Sequence, residues 1–318
     1  MSSIAQLSNS FSKQIKKYKN ITVIAHINPD ADTIGTSLGV YSWLKENGYR
    51  SEISCKSDDI PLYLDFLPNF TKIKNRIDFD SSLVITCDCG SMDRAGFDLA
   101  GRNIISIDHH ASNTNFADLS IVDANAVSSS ELAYKILNNL APVSKNSAIS
   151  FYTALVSDSK NFTTNNIDEN TFELARELIK IGVDIPKVSY NMTQRKSLAS
   201  LRILGVALDS LELKNDASIA IMKIRRIDLK YTGAKMSDID GVIDSAMSLS
   251  TVEIAVLLVE QKTGVKVSVR SKNANVGRLA VDFAGGGHHN AGGFIDFENS
   301  IDKVEENILI YIEKKELI

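Results

Sequence analysis

The 318-residue chain lacks the features that mark secreted proteins, membrane proteins and proteins that bind duplex DNA. Its three cysteines are too few for a disulfide framework, so we expect a reducing compartment and a cytoplasmic location. No run approaches the ~18 apolar residues that span a membrane, and the N-terminus lacks the apolar stretch of a signal peptide. Acidic residues (39) outnumber Lys and Arg (35), and the net charge of −4 argues against a partner such as long duplex nucleic acid.

The length and the pattern of apolar segments predict two α/β domains. In the first, near-continuous apolar strands alternate with helical periods, which is typical of a parallel sheet covered by helices on both faces. Ser128 and Glu131 have the spacing of a capping box at the start of one of these helices. We predict a first domain over residues 1–190, a helical linker over 191–214 and a smaller α/β domain over 215–318.

Histidine is scarce as well, and its five copies are unevenly distributed. They form three clusters, each beside Asp or Gly: His26, then His109 with His110, then His288 with His289. A single histidine is most often a surface or core residue without a chemical role. The clustering of all five beside Asp or Gly instead indicates that these imidazoles have a catalytic or metal-binding role or contact phosphate.

Polar clusters follow three of the predicted strands at their carboxyl ends. In open α/β sheets, ligands bind outside the carboxyl ends of the strands, so these clusters are expected to meet at one edge. Asp158 ends an apolar helix and can reach the same edge. The clustered residues are His26, Asp30 and Asp32 after the first strand, Asp88 after a second, and Asp108, His109 and His110 after a third.

Such a meeting would bring five aspartates into one crevice. Like charges at close range either raise pKa values strongly or require counter-ions, and two divalent cations would reduce the cluster to about −1. Mixed carboxylate and imidazole ligands suit Mn²⁺, with Mg²⁺, Co²⁺, Fe²⁺ and Zn²⁺ as alternatives. Two such ions ~3.5–4 Å apart commonly catalyse nucleophilic displacement at phosphorus. They activate the attacking water and stabilise the leaving oxygen.

Each cluster alone has a simpler explanation. Residues 28–30 (Asn-Pro-Asp) favour a turn, and residues 108–110 alone fit a surface patch. Cys87 and Cys89 suggest a metal–thiolate site, but in a strand they point away from Asp88. The combination of all the clusters at strand ends favours the metal site.

A second group of residues indicates phosphate binding in the last third of the chain. Five of the nine residues 285–293 are glycine, which predicts a loop whose backbone can approach a ligand closely and expose its N–H groups. A flexible turn is the alternative, although a turn needs only one or two glycines. The expected phosphate contacts are Gly286, Gly287, His288 and the upstream Arg270 and Ser271.

At these residues the chain resembles the DHH phosphoesterases that carry a C-terminal DHHA1 domain. The family motif H-x-x-P-D-x-D-x-x-G-S matches residues 26–36, with Thr36 in place of the usual Ser. Asp88 with Arg94 fits the second motif, and residues 108–110 fit the D-H-H signature. The fourth motif keeps Asp158 but lacks its usual Thr-Gly.

The same resemblance covers the last third of the chain, so the two sets of motifs span nearly the whole sequence. The DHHA1 loop G-G-G-G-H-x-x-A-A-G matches residues 284–293, with Ala284 for the first Gly and Gly292 for one Ala. His288 takes the place of the motif histidine, and His289 falls on a variable position.

The resemblance implies a role for each residue of the first domain. One divalent cation would be held by His26, Asp30 and Asp88. The other would be held by Asp32, Asp88, His109 and Asp158, so that Asp88 bridges the two. Asp108 would support the site, His110 would face the scissile phosphate, and Arg94 would contact phosphate, with a salt bridge as its alternative.

The resemblance also implies a substrate and its location. Arg270, Ser271, Gly286, Gly287 and His288 would hold the far end of the substrate, with the active site in the cleft between the domains. The compact chain is most similar to the nanoRNases, which cut single-stranded RNA of two to five nucleotides to mononucleotides. These enzymes often also dephosphorylate 3′-phosphoadenosine 5′-phosphate (pAp).

Several alternatives stay open from the sequence. A phosphatase specific for pAp, or a hydrolase of linear dinucleotides such as pApA and pGpG, uses the same residues. A non-catalytic nucleotide sensor is a different class, but it would be expected to lose metal ligands. The C-terminal apolar stripe of Ile301, Val304, Ile308 and Ile312 fits either a core helix or the face of a homodimer.

Overall fold

The computed structural model describes residues 3–239 and 241–318. Met1, Ser2 and Asp240 fall within the predicted domains 1–190 and 215–318 but lie outside the described residues. The chain divides into two compact units, Met1–Arg195 and Lys196–Ile318. Both units are of α/β type, which confirms the predicted fold class. The assignment of residues 191–214 to a linker stays a prediction.

The first unit contains one six-stranded sheet in which every pair of neighbouring strands is parallel. Its strand order is β3-β2-β1-β4-β5-β6, so the order reverses next to β1 and β4. Such a reversal opens a crevice at the carboxyl ends of the two strands. The strands are β1 (Asn20–Ala25), β2 (Arg50–Cys55), β3 (Ile73–Lys74), β4 (Leu83–Cys87), β5 (Ile104–Asp108) and β6 (Leu119–Val122).

Six helices accompany this sheet, and two of them pack unusually closely. At Gly39 of α2, an added Cβ would lie 2.2 Å from a ring atom of Phe151 in α4, so only glycine permits this approach. A short 3₁₀ turn, Met92–Ala95, follows β4, and a π-helical turn, Tyr190–Gln194, follows α6. The helices are α1 (Ile4–Ile15), α2 (Ala31–Glu46), α3 (Ser129–Asn138), α4 (Lys145–Asp158), α5 (Glu169–Ile181) and α6 (Ile185–Ser189).

The predicted capping box at α3 is wrong. Ser128 is the N-cap residue, but its hydroxyl pairs with the hydroxyl of Ser130 at 2.6 Å instead of a backbone N–H. The carboxylate of Glu131 accepts the backbone N–H of Val127 at 3.0 Å and the ammonium of Lys135 at 2.5 Å. Glu131 therefore holds the start of α3 through Val127, the residue before the N-cap. The first backbone N–H groups of α3 stay available for other acceptors.

The second unit contains a mixed six-stranded sheet in the order β11-β12-β10-β9-β8-β7. Only the β8–β9 pair is parallel. The strands are β7 (Glu212–Lys214), β8 (Ile219–Ile224), β9 (Ile254–Gln261), β10 (Gly264–Ser271), β11 (Gly286–His288) and β12 (Ala291–Asp296). The helices are α7 (Leu198–Asp209), α8 (Arg226–Thr232), α9 (Val242–Met247), α10 (Val276–Asp282) and α11 (Ile301–Lys314).

The C-terminal apolar stripe packs into the core of the second unit. Ile301, Val304, Ile308 and Ile312 of α11 are all at least 98% buried, together with residues of β9 and β10. The stripe is therefore used for core packing. No helix within residues 3–239 and 241–318 combines the length and the apolar character needed to cross a membrane.

Candidate functional site

The predicted ligands of the first unit lie together where the strand order reverses. His26 directly follows β1, Asp88 directly follows β4, and Asp108 is the last residue of β5. Three helices complete the group, because α2 begins beside Asp30 and Asp32, α3 begins at Ser129, and α4 ends at Asp158. The carboxyl ends of neighbouring parallel strands thus bring these loops to one crevice, as the sequence predicts.

One half of the site is formed around His26. Its Nδ1 lies 2.7 Å from the carbonyl oxygen of Ile27, and only an N–H can pair with that acceptor. The Nε2 atom points into the site, where it lies 2.6 Å from the hydroxyl oxygen of Thr33 and 3.5 Å from Oδ2 of Asp88. A guanidinium nitrogen of Arg94 lies 3.1 Å from the same Nε2 atom. Asp30 caps α2 through its Oδ1, which accepts the N–H of Thr33 at 2.9 Å.

The other half of the site is formed around His109. Its Nδ1 lies 3.2 Å from the carbonyl oxygen of Ala126, which directs Nε2 towards three carboxylates. Nε2 lies 3.1 Å from Asp158, 3.6 Å from Asp88 and 3.7 Å from Asp32. A carbonyl that holds the second ring nitrogen of a histidine is the usual way in which a metal-binding imidazole is oriented.

The donor atoms of these residues fit divalent cations. Three sets of side chains each offer ligand atoms that lie within 4.8 Å of one another, and Asp88 belongs to two of them. The sets are His26, Asp30 and Asp88; Asp32, His109 and Asp158; and Asp88, His109 and His110. Carboxylate oxygens with imidazole nitrogens suit Mn²⁺ or a similar first-row ion. Every residue predicted as a metal ligand is thus brought into this site.

The negative charge of the clustered carboxylates also favours the binding of cations. Burial and then the charges of Asp88 and Asp158 raise the pKa of Asp32 well above its ordinary range. Desolvation and the nearby carboxylates raise the pKa of Asp158 to about 6, against the opposing effect of His109. Burial lowers the pKa of His109, but the hydrogen bond to Asp158 and the surrounding carboxylates outweigh it and raise that pKa to about 11. The raised pKa values of Asp32, Asp158 and His109 all reflect negative charge concentrated in one place, which divalent cations would neutralise.

Asp108 has a supporting place behind the ligands. Its Oδ1 accepts the backbone N–H of His109 at 2.9 Å and Nδ1–H of His110 at 2.7 Å. Its Oδ2 accepts the side-chain amide of Asn113 at 2.5 Å. Burial raises the pKa of Asp108, but these bonds outweigh it and lower that pKa. In the part of the chain that the structure describes, no ligand set contains Asp108, which orients His110 instead.

Two hydroxyl residues in the site were missed by the sequence analysis. Thr33 and Ser129 both donate to the carboxylate of Asp88, at 2.7 Å and 3.0 Å. Thr33 stands at a variable position of the first motif, and Ser129 belongs to the serine run that the capping-box prediction used. The fact that all three hydroxyls of residues 128–130 are buried has no signature in the sequence.

The glycine-rich segment of the second unit is a β-hairpin, so its prediction as a loop is wrong. Residues of β11 and β12 pair in antiparallel register, with Gly287 opposite Gly292 and His288 opposite Ala291. An added Cβ on Gly277 of α10 would lie 2.3 Å from the carbonyl oxygen of His288. An added Cβ on Gly292 of β12 would lie 2.7 Å from the carbonyl oxygen of Val276 in α10, so close packing of the hairpin on α10 accounts for these two glycines.

The predicted phosphate contacts of the second unit are near one another in its sheet. Arg270 of β10 pairs with Ala291 of β12, next to the exposed residues Gly286, Gly287 and His288 of β11. Ser271 is buried, and its hydroxyl donates to the carbonyl of Ala274 at 2.5 Å. The edge strand β11 thus presents a histidine and exposed backbone, and Arg270 lies at the same register two strands further into the sheet.

Two family comparisons match most of the described chain. Residues 20–157 match the DHH family, N-terminal domain, and residues 216–312 match the DHHA1 domain. The first match contains every predicted metal ligand except Asp158, which directly follows its end. The second contains the hairpin and Arg270.

The chain is also similar over nearly its full length to proteins with assigned names. The probable bifunctional oligoribonuclease and PAP phosphatase NrnA of Streptococcus mutans is 27% identical over 310 residues, covering 96% of this chain and 97% of that protein. The bifunctional oligoribonuclease and PAP phosphatase NrnA of Bacillus subtilis is 25% identical over 287 residues, covering 88% and 90%. The crystal structure of an exopolyphosphatase-related protein from Bacteroides fragilis shares the fold, with a TM-score of 0.87, 24% identity and 97% of each chain covered.

Proposed function

Because the chain belongs to the DHH phosphoesterases with a C-terminal DHHA1 domain, we propose that it hydrolyses short single-stranded RNA to mononucleotides and dephosphorylates pAp. The observation that carries the proposal is the place of Asp88 at the strand-order reversal, where its carboxylate lies 3.5 Å from His26 and 3.6 Å from His109 and so adjoins both ligand groups. The two relatives named as oligoribonuclease and PAP phosphatase, aligned over nearly the full chain, support the choice of substrate.

Two divalent cations would occupy the site. His26, Asp30 and Asp88 would hold one, and Asp32, Asp88, His109 and Asp158 would hold the other. We propose Mn²⁺, because the ligands combine carboxylate oxygens with imidazole nitrogens, and a cytoplasmic location is consistent with three buried free cysteines. When bound, the cations would supply positive charge and lower the pKa of a water molecule, so that it can lose a proton and attack phosphorus as hydroxide.

The side chains around the cations would position the phosphate and move a proton. Asp108 holds His110 by its Nδ1–H, so Nε2 is the nitrogen that would face the departing ribose oxygen. Burial lowers the pKa of His110, but the bond to Asp108 and the charge of Asp88 outweigh it and raise that pKa, which favours a ring that can give up a proton. Arg94, beside His26, would add a positive charge for a phosphate oxygen.

The second unit would recognise the far end of a short substrate. Arg270 and His288 would pair with phosphate oxygens, and the exposed backbone of Gly286 and Gly287 would allow close approach. Ser271 would act by holding the adjacent turn, because its hydroxyl is engaged by Ala274. Recognition at both ends would limit the enzyme to substrates of a few nucleotides.

A three-substrate assay with Mn²⁺ tests this function. We expect a 5′-phosphorylated RNA dinucleotide to be consumed at least roughly tenfold faster than an RNA of about 24 nucleotides, because only the short molecule has both ends within reach. We expect pAp to lose its 3′-phosphate. Product formation is followed by anion-exchange chromatography, and a His109→Ala, Asp88→Ala double variant is the control for contaminating nucleases.

The outcomes separate the alternatives. Equal rates on the dinucleotide and the long RNA would contradict recognition at both ends. Turnover of pAp alone would favour a dedicated phosphatase, and turnover of pApA or pGpG without other RNA dinucleotides would favour a role in cyclic-dinucleotide breakdown. Nucleotide binding without turnover in Mn²⁺, Mg²⁺ or Co²⁺ would indicate a sensor.

Gly277→Ala is expected to separate substrate recognition from metal binding. Its Cβ would lie 2.3 Å from a backbone oxygen of His288, so β11 must move away from α10. We expect kcat/KM for the dinucleotide to fall by about 10²-fold, the cost of misplacing a binding group by ~1 Å. Titration calorimetry should show unchanged binding of Mn²⁺, since the ligands belong to the other unit.

Gly205→Ala is the matched control for that variant. Gly205 lies in α7, and an added Cβ would meet no atom of residues 3–239 or 241–318 within 4 Å. This variant should keep both activity and stability. Full activity of Gly277→Ala on the dinucleotide would contradict a role for the hairpin in substrate binding.

A further inference from the structure

We propose that the hydroxyls of Thr33 and Ser129 are a matched pair of positioning groups that hold one oxygen of Asp88 each and so assign one oxygen to each half of the site. This inference rests on the two-cation centre of the proposed function. Neither residue is among the predicted ligands. Each lies at the start of a helix that belongs to a different part of the chain.

Asp88 is held from two sides. It is 1% exposed and has a left-handed backbone with a φ of 56°, so its carboxylate depends on nearby donors for its orientation. Oγ1 of Thr33 donates to Oδ2 at 2.7 Å, and Oγ of Ser129 donates to Oδ1 at 3.0 Å. The Thr33 oxygen also lies 2.6 Å from Nε2 of His26, in the same half of the site. The two donors are 55 and 41 residues distant from Asp88 in the sequence.

Each oxygen of Asp88 also faces a different half of the site. Oδ2 lies 3.5 Å from Nε2 of His26, and Oδ1 lies 3.6 Å from Nε2 of His109. An ionised carboxylate oxygen has two lone pairs. With one lone pair taken by a hydroxyl, each oxygen keeps one for a cation in its own half.

The backbone of each hydroxyl residue binds a second ligand of the same half. The N–H of Thr33 donates to Asp30 at 2.9 Å, and the N–H of Ser129 donates to Asp32 at 2.8 Å. Thr33 thus contacts all three ligands of the His26 half, and Ser129 contacts two ligands of the His109 half. This correspondence distinguishes the pair from two hydroxyls that merely satisfy a buried carboxylate.

The position of Ser129 is itself fixed by its neighbours. The carbonyl of Ala126 accepts from His109 at 3.2 Å, and the N–H of Val127 is held by Glu131 at 3.0 Å. The segment from residue 126 to 129 therefore contacts His109, Asp32 and Asp88 in turn. A single rigid helix start orients three ligands of one half.

The test measures binding of Mn²⁺ in single hydroxyl variants. Thr33→Val and Ser129→Ala remove the hydroxyls but keep the backbone contacts to Asp30 and Asp32. By calorimetry, the full-length protein should bind two Mn²⁺, and each variant should lose about 10–100-fold in affinity for one ion only. Electron paramagnetic resonance should then show an isolated Mn²⁺ in place of a coupled pair.

A second substitution identifies which ion is weakened. Adding His26→Ala to Ser129→Ala should also weaken the remaining ion, whereas adding it to Thr33→Val should leave the remaining ion bound. Ser128→Ala is the matched control, because its buried hydroxyl bonds to Ser130 instead of a ligand. Thr33→Ser should restore binding, and Ser129→Cys serves if Ser129→Ala does not fold.

Wild-type affinity for both ions in both variants would overturn the inference. Equal weakening of both ions in each variant would overturn it too, because the hydroxyls would then act on Asp88 as a whole. A wild-type protein that binds fewer than two Mn²⁺ would instead contradict the two-cation centre of the proposed function. These failures are distinguishable, since the first two require a normal wild-type titration.

Discussion

Asp88→Asn is expected to lower the rate of dinucleotide hydrolysis by about 10³-fold and to reduce the number of bound Mn²⁺ ions. The carboxylate of Asp88 lies between the two halves of the site, with Oδ2 3.5 Å from Nε2 of His26 and Oδ1 3.6 Å from Nε2 of His109. An amide removes the negative charge between them and offers one oxygen in place of two. The expected loss corresponds to several kcal/mol of charge stabilisation in the transition state, at ~1.4 kcal/mol for each factor of ten.

The fold should tolerate this substitution. Asp88 has a φ of 56°, and asparagine is among the residues that adopt this left-handed conformation most readily. The amide oxygen can still accept a hydroxyl from Thr33 or Ser129. The unfolding temperature measured by circular dichroism should therefore stay near that of the wild type. A lower hydrolysis rate then reflects a change in the site and not a loss of folded protein.

Asp93→Asn is the matched control for Asp88→Asn. Asp93 lies five residues further on, is exposed in the 3₁₀ turn Met92–Ala95, and belongs to none of the ligand sets found in residues 3–239 and 241–318. Its rate and its binding of Mn²⁺ should match the wild type. Activity of Asp88→Asn within tenfold of that control would contradict a shared ligand role.

His110→Gln is expected to lower kcat by about 10²–10⁴-fold while both Mn²⁺ ions stay bound. Its Nδ1–H is fixed on Asp108 at 2.7 Å, which is how a carboxylate orients an imidazole for proton transfer. Glutamine can keep a hydrogen bond to Asp108 but cannot transfer a proton. The measurements are single-turnover kinetics on the dinucleotide and calorimetry with Mn²⁺.

The same experiment decides between two roles for His110. Asp88, His109 and His110 form one of the three possible ligand sets, so His110 itself has atoms close enough to bind a cation. Loss of an Mn²⁺ ion in His110→Gln would show that it is a ligand and would contradict the proton-transfer role. His289→Gln, an exposed histidine at a variable motif position, should behave as the wild type.

Much of the site could be predicted because its ligands are local features of the sequence. His26, Asp88 and Asp108 come at the ends of apolar strands, and parallel strands necessarily end at one edge of their sheet. Ligand chemistry then requires carboxylates and imidazoles at that edge. The parallel first sheet was predictable as well, because near-continuous apolar strands that alternate with helices are visible in short windows of the sequence. The mixed pairing of the second sheet was not part of that prediction.

The glycine-rich hairpin shows where such local reasoning fails. Five glycines in residues 285–293 indicate a loop, because glycine disfavours strands. The segment becomes β11 and β12 because α10 packs against it closely enough to exclude a Cβ at Gly277 and Gly292. That contact is tertiary, and no pattern within the segment reports it.

Strand ends and motif spacings are local properties of the chain, so the two α/β domains, the family and the acidic and histidine residues of the proposed site were all recognisable without coordinates. Which oxygen of Asp88 faces which half of the site is visible only in the packed fold. That choice depends on hydroxyls of Thr33 and Ser129, which reach Asp88 from the starts of two separate helices. A hydroxyl acts as a donor only over hydrogen-bond distance, and that distance exists only after α2, α3 and β4 have packed together.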